Sequence, residues 1–247
     1  MHDASALSTL EEILQTATRI GKVWRQQRAE LTFDEKSIGQ FASNADLEIE
    51  HYVRGALAQA FPGQAIIGEE TGGALSDDQT GWAIDPIDGT SNFILGLPMW
   101  AISIGYVARG DSVLGALSLP DLDLTLSAET GSGLRLNGVP VQTLSPPAAV
   151  KVIALGENDF EPGPRTDQIA QDLRAQNYAV VRYRCAVFSL AMSALGRLSG
   201  YVENGCGLWD IAAAGIICQE AGMDVTSTLI APGRYAIDAR WPADASA

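Results

Sequence analysis

The sequence predicts an alternating, layered α/β (α+β) architecture, and three observations carry that prediction. Residues 7–28 repeat apolar positions at helical spacing. The stretch 100–141 breaks instead into short apolar runs separated by turn signals. Beyond the proline-rich linker Leu144-Ser145-Pro146-Pro147, strand-like runs and helical patterns alternate. The expected division is an N-terminal α+β lobe over 1–145 with a mixed, largely antiparallel sheet, and a smaller α/β lobe over 146–247. At 247 residues the chain can bury a sizeable core, as one compact unit or two closely packed lobes.

In chain order, Leu7, Leu10, Ile13, Leu14, Ala17, Ile20, Val23 and Trp24 form the apolar stripe of a first helix. Ser43 and Asp46 have the spacing of a capping box, which opens a second helix running to about Phe61 with Leu47, Val53 and Leu57 inward. Glu50, one turn on, reads either as support for a site or as a surface charge. Ile66-Ile67 and Trp82-Ala83-Ile84 are strand ends, and Pro86 removes a ladder donor after the second. Hairpin turns are expected at Arg109-Gly110-Asp111, Pro120-Asp121 and, most clearly, Asn137-Gly138. Strands over 150–155 and 180–183 flank a helix over 166–176. Apolar helices over 188–195 and 211–221 stop at Gly196 and Gly222.

Composition narrows the function classes. A formal charge of −14 argues against a nucleic acid polymer as partner, because phosphate backbones are held by clustered Lys and Arg. No stretch approaches a membrane span, and the start, with Met1, His2, Asp3, Glu11 and Glu12, has neither a basic region nor a cleavage pattern; a cytoplasmic protein is expected. Cys185, Cys206 and Cys218 lack C-x-x-C spacing, and two histidines make a zinc site improbable, so the three read as reduced thiols.

The segment Trp82 to Phe93, WAIDPIDGTSNF, concentrates the chemistry. An apolar run delivers Asp85 and Asp88 into a turn that Gly89 makes possible. Two carboxylates facing one small volume repel each other unless a hard cation such as Mg²⁺ lies between them. The N–H groups of Gly89 and Thr90 can then hold an anion. Read alone, D-x-x-D-G-T is equally an acid-rich surface turn. Glu69, after Gly68, and Asp210, after Trp209, bring two more carboxylates to element ends, although each alone suits a solvated turn or a helix dipole. Together the four would leave a bare site with about four negative charges, repelling a phosphate monoester until cations restore balance.

These residues resemble the inositol monophosphatase family, within the lithium-sensitive, magnesium-dependent phosphatases that include fructose bisphosphatases and bisphosphate nucleotidases. The likeness runs from Lys36 and Ser43-Asn44-Ala45-Asp46 through Gly68-Glu69-Glu70 and DPIDGTSNF to the stretch 196–222 with WDIAAAG. The resemblance implies an αβαβα sandwich, two or three Mg²⁺ per site, a small phosphorylated metabolite as substrate and a homodimer. It implies Glu69, Asp85 and the Ile87 carbonyl as ligands of one ion, and Asp85, Asp88 and Asp210 as ligands of a second. Asp46, Glu69 and Thr90 are the implied catalytic residues, Asp46 and Thr90 positioning the attacking water, while Gly89 and Thr90 hold phosphate. Asp88, Ala186, Glu203 and Asp210 are implied on the substrate side; Lys36 is a supporting residue or a solvated charge.

The chain also departs from the family. Arg184-Cys185-Ala186 stands where many members have Gly-Ser-Ala, and Ser189 replaces a common aspartate. Arg184 either meets solvent and surface acids or turns its planar fork to a second anionic group on the substrate. The departure separates this chain from a simple inositol monophosphatase reading; histidinol phosphate, sugar bisphosphates and nucleotide 3′-phosphates are the alternatives. A haloacid-dehalogenase-type aspartyl phosphatase uses D-x-D-G-T, whereas two residues separate the carboxylates here. A non-catalytic phosphometabolite-binding protein would have lost ligands that this chain retains.

Overall fold

The computed structural model describes residues 5–37, 40–142, 146–147, 149–160 and 163–242; Met1 to Asp3 and the linker residues Leu144 and Ser145 lie outside them. The first helix, α1 (Ala6–Gln26), is capped by the Ser5 side chain on the Ser8 N–H. A hairpin of β1 (Phe33–Ser37) and β2 (Gln40–Ser43) leads into α2 (Asn44–Ala60), opened by the expected capping box of Ser43 and Asp46. Strands β3 (Ile66–Gly68), β4 (Gly72–Gly73) and β5 (Gly81–Asp88) follow, then the short helix α3 (Thr90–Leu95).

Five further strands, β6 (Ala101–Ala108), β7 (Asp111–Leu119), β8 (Leu124–Glu129), β9 (Arg135–Leu136) and β10 (Val139–Pro140), complete an eight-stranded sheet of order β10-β9-β8-β7-β6-β5-β3-β4. It is antiparallel except where β3 runs parallel to β5. Arg109 and Gly110, and again Asn137 and Gly138, take positive φ at both central positions, the geometry of two-residue hairpin turns. Pro120 instead opens a 3₁₀ turn.

The remaining chain forms β11 (Val152–Leu155), α4 (Gly163–Ala175), β12 (Ala179–Val181), α5 (Ala186–Ala194), β13 (Gly200–Cys206), α6 (Leu208–Glu220), β14 (Asp224–Ala231) and β15 (Arg234–Arg240). A second sheet has the order β12-β11-β13-β15-β14, its first three strands parallel. Side-chain alternation explains the stacking. Trp82, Ile84, Ile102 and Ile104 pack on α1 and α2, whereas Ala83, Ala101 and Leu117 face α5 and α6. On the second sheet, Ala154 and Tyr201 face α5 and α6, and Ile153, Leu155 and Val202 face α4. The layers therefore read α, β, α, β, α, as expected.

Four details depart from the sequence expectations. Pro86 does not end its strand: β5 continues to Asp88 through an irregularity in which Asp85 pairs with Ser103 and Asp88 with Ala101. The extra residue reverses the alternation. Ile84 and Ile87 both enter the α1/α2 core, so Asp85 and Asp88 both turn toward α5 and α6. Leu47 is half exposed because α2 turns Asp46 and Glu50 inward beside it. Val23 is also half exposed; Gly21 faces the sheet there, against Trp100. The last helix begins at Leu208, so Asp210 lies inside its first turn.

Two close approaches fix the site's supports. A Cβ on Gly105 would lie 2.4 Å from the Ala213 nitrogen, and one on Gly115 would lie 2.6 Å from Ala213 Cα, so α6 rests directly on the backbone of β6 and β7. Helix α3 has too few turns to hold itself. Arg25 donates to the carbonyls of Phe93 (2.8 Å) and Leu97 (2.9 Å) while its Nε and Nη2 grip Asp121, and Arg28 donates to Ile94 O at 3.0 Å. Gly115→Ala is expected to lower unfolding free energy by roughly 2–3 kcal/mol in urea titrations, because backbone and not a mobile side chain must yield. An unchanged midpoint would contradict that packing.

Candidate active site

The bulge at the end of β5 and the first turn of α6 bring three carboxylates together. One oxygen each of Asp85, Asp88 and Asp210 lies within 4.8 Å of the others. Asp210 accepts from the Gly207 N–H at 2.6 Å, so it caps its helix and faces the cluster at once. Asp88 accepts from the Val187 N–H (2.5 Å) and the Cys185 thiol (3.1 Å), which ties β5 to the start of α5. Asp85 is different. Both its oxygens are buried and have no hydrogen-bond partner among the described residues.

Glu69 follows β3, whose parallel pairing to β5 carries it to the same end of the sheet; its N–H donates to Ile84 O at 3.1 Å. Its carboxylate lines the cavity but stands outside the three-acid cluster, held by Lys36 at 3.3 Å. Lys36 also reaches Glu70 at 2.6 Å, so it is a paired cation and not a solvated one. Glu50 is fully buried and accepts from Arg54, from the N–H groups of Glu70 and Thr71, and from the Thr71 hydroxyl. Of its two readings, support for the site is the one found: it pins the loop that presents Glu69.

Asp46 lies beneath the cavity floor, fully buried, bonded to Ser43 N (2.9 Å) and Ser43 Oγ (2.5 Å). It reaches the site through Thr90, whose hydroxyl lies 3.3 Å from Asp46 Oδ1 and 3.0 Å from the Ile87 carbonyl. Gly89, with φ of 81°, caps α3; a side chain there would press on Met99 O and Cys185.

Burial and mutual repulsion set the titration of this cluster. Burial first, then the charges of Glu69, Asp88 and Asp210, lift Asp85 well above the carboxylate range. Burial raises Asp88 to about 7 against the opposing bonds from Val187 and Cys185. Asp210 is lifted by burial and by Asp88, Glu203 and Glu69. Asp46 also reaches about 7, through burial opposed by Ser43. Burial disfavours the charge on Lys36, but Glu69 and Glu70 outweigh it and raise its pKa. An all-oxygen cluster with two orphaned carboxylate oxygens fits a hard divalent cation.

The cluster opens into a cavity of about 270 Å³ that also takes in Arg184, Ala186, Glu203 and Arg234. Glu203 is buried on β13, accepting from the Tyr201 hydroxyl and from Asn158 Nδ2 at 2.8 Å. Gly156 leaves room for that pair, since a Cβ there would lie 2.3 Å from both. Ser189 also lines the cavity, its hydroxyl donating to Cys185 O at 2.7 Å.

The family model for the inositol monophosphatase family matches residues 6–238. The chain belongs to the inositol monophosphatase family. It is 37% identical over 209 residues to the uncharacterized protein y4fL of Sinorhizobium fredii, covering 84% of this chain and 74% of that one. An inositol-1-monophosphatase of Mesorhizobium japonicum is 31% identical over 220 residues, 86% of this chain and 83% of that relative. Among solved structures, the extragenic suppressor protein suhB of Bartonella henselae superposes with a TM-score of 0.83 at 26% identity, covering 95% of this chain and 93% of that one. The phosphatase family and the layered fold are thus shared with known proteins, and this chain has an acidic cluster that could hold a metal.

Sequence reasoning missed Asn158, Tyr201 and Arg234 as cavity residues. Tyr201-Val202-Glu203 carried a signal, because residues two apart on a strand share a face. Arg234, just past Gly233 at a hairpin turn, carried none.

In the metal-free protein, Asp46 and Asp88 bind protons more tightly folded than unfolded. Stability should therefore fall as pH rises from about 4 to about 7. Urea midpoints measured in chelator are expected to be higher near about pH 5 than near about pH 8. Saturating Mg²⁺ should remove most of the difference. Midpoints that rise with pH in chelator would contradict the assignment.

Proposed function

We propose that this member of the family hydrolyses a small phosphate monoester, a polyol or sugar phosphate like inositol monophosphate, with Mg²⁺ as cofactor. The observation that carries the reading is Asp85, whose two buried oxygens lack donors beside two further carboxylates. Asp85, Asp88 and Asp210 would hold the cations, with Glu69 and the Ile87 carbonyl completing the set. Bound Mg²⁺ supplies a lowered pKa for the attacking water and neutralises charge on the phosphoryl oxygens.

The remaining work belongs to the chain's own groups. The Thr90 hydroxyl has one proton and two acceptors within reach. With the Ile87 carbonyl engaged as a ligand, that proton turns to Asp46, leaving the Thr90 lone pairs to accept from water and fix its line of approach. Burial gives Asp46 proton affinity near neutrality, which suits it to take a proton through Thr90. The N–H groups of Gly89 and Thr90 would bind phosphate oxygens where charge accumulates. Glu203, fixed by Tyr201 and Asn158, would accept from substrate hydroxyls, and Ala186 borders the same space. The reading retains a cytoplasmic homodimer; no helix among the described residues is long and apolar enough to cross a membrane.

A panel of inositol 1-phosphate, histidinol phosphate, sugar bisphosphates and nucleotide 3′-phosphates, assayed with Mg²⁺, identifies the substrate class. Exhaustive chelation should abolish turnover, and Thr90→Ala should lower kcat about 10²- to 10³-fold with a smaller effect on KM. Substantial hydrolysis without divalent ions, or a phospho-aspartyl intermediate, would refute the mechanism.

A further inference from the structure

Among the described residues six non-glycine positions have a positive φ; all six are exposed, and five of them, Gln79, Arg109, Asp123, Asn137 and Asn177, lie outside the cavity lining. The sixth, Arg184 with φ of 54°, lines it. The chain turns in this conformation just before Cys185 and Val187 meet Asp88, and the Arg184 carbonyl lies 3.4 Å from where a Gly89 Cβ would stand. Glycine adopts that conformation without strain, and a bulky side chain does not. A long cation held at a strained position on a substrate cavity points to a function for its head group.

Arg234 reaches the same cavity from the start of β15. It is anchored by the Gly205 carbonyl (3.0 Å), by Asp159 (3.4 Å) and by the Phe160 ring, 5.8 Å from its guanidinium carbon. Those two hydrogen bonds use two of its five N–H donors. Both arginines are close enough to Glu203 for their charges to favour its ionised form against burial. Nearby acids are partly answered: Asp159 by Arg234 and Ser37, and Glu157 by Arg182 at 3.6 Å.

We propose that Arg184 and Arg234 form an anion subsite on the second-lobe side of the cavity, and that the substrate is a small polyol or sugar bisphosphate whose second phosphate binds there. This rests on the phosphatase reading for the scissile phosphate. Two guanidiniums offer the forked donors that a phosphate accepts. The groups proposed to hold the cations are acids and the Ile87 carbonyl, so the two guanidiniums form a separate set of anchoring groups on the same cavity.

Two measurements on the full chain test it. With saturating Mg²⁺, the ratio of kcat/KM for inositol 1,4-bisphosphate to that for inositol 1-phosphate should favour the bisphosphate. In Arg184→Gly, which relieves the backbone and so should fold, that ratio should fall about 10- to 100-fold. Arg184→Lys should fall between the two. An unchanged ratio overturns the proposal. In chelator, where the acidic cluster repels phosphate, calorimetry should detect bisphosphate binding to the wild type and at least about tenfold weaker binding to Arg184→Gly. Absent or equal binding overturns the subsite. Wild-type protein that binds the bisphosphate but hydrolyses no phosphomonoester with Mg²⁺ would refute the phosphatase reading and leave the subsite standing.

Discussion

A carboxylate enclosed by protein with no hydrogen-bond donor is unstable as an anion, and among the described residues Asp85 is in that position, with Asp88, Asp210 and Glu69 adding repulsion. Such an arrangement persists only where the surrounding fold enforces it. Here the enforcement is traceable: β5 lies in the interior of an eight-stranded sheet, its other face sealed by Trp82, Ile84 and Ile87 against α1 and α2. The core holds the acids together, and a divalent cation among them would relieve their repulsion.

The supports are distributed so that each acid is set by a different element. The strand irregularity after Asp85 turns Asp88 to the same side, α5 fixes Asp88 through a backbone N–H, and α6 fixes Asp210 through its own cap. Glu50 and Lys36 steady the loop carrying Glu69 and Glu70. Arg25 from α1, and Arg28 just past its end, reach across to hold α3, which carries Thr90. Residues remote from the chemistry are therefore needed for its geometry, and the turn before α5 serves both sides of the cavity, since its Cys185 thiol donates to Asp88.

Much of this was legible in the chain. The capping box of Ser43 and Asp46, the Asn137-Gly138 hairpin and the antiparallel meander all follow local rules, and local rules decided them. Asp85, Asp88 and Asp210 were legible because acids at element ends beside a glycine turn have few structural reasons to coincide. The effect of Pro86 was not, because the proline signals loss of a donor but not whether neighbouring strands close around the gap as a bulge. The inward set of α2 was misjudged at Leu47, since Asp46 and Glu50, polar residues, take the buried face to serve the site. Arg234 depends on the pairing of β15 with β13, a long-range contact that no local pattern announces.

The acidic cluster draws its members from distant parts of the chain: Asp85 and Asp88 lie on β5 and Asp210 on α6, with β6 to β13 and α3 to α5 between them. During synthesis β5 leaves the ribosome well before α6, so an ion has no complete cage until the later helix emerges and settles onto Gly105 and Gly115. Assembly of the centre consequently waits on long-range folding: a nascent or clipped chain that stops short of α6 leaves Asp85 and Asp88 without Asp210.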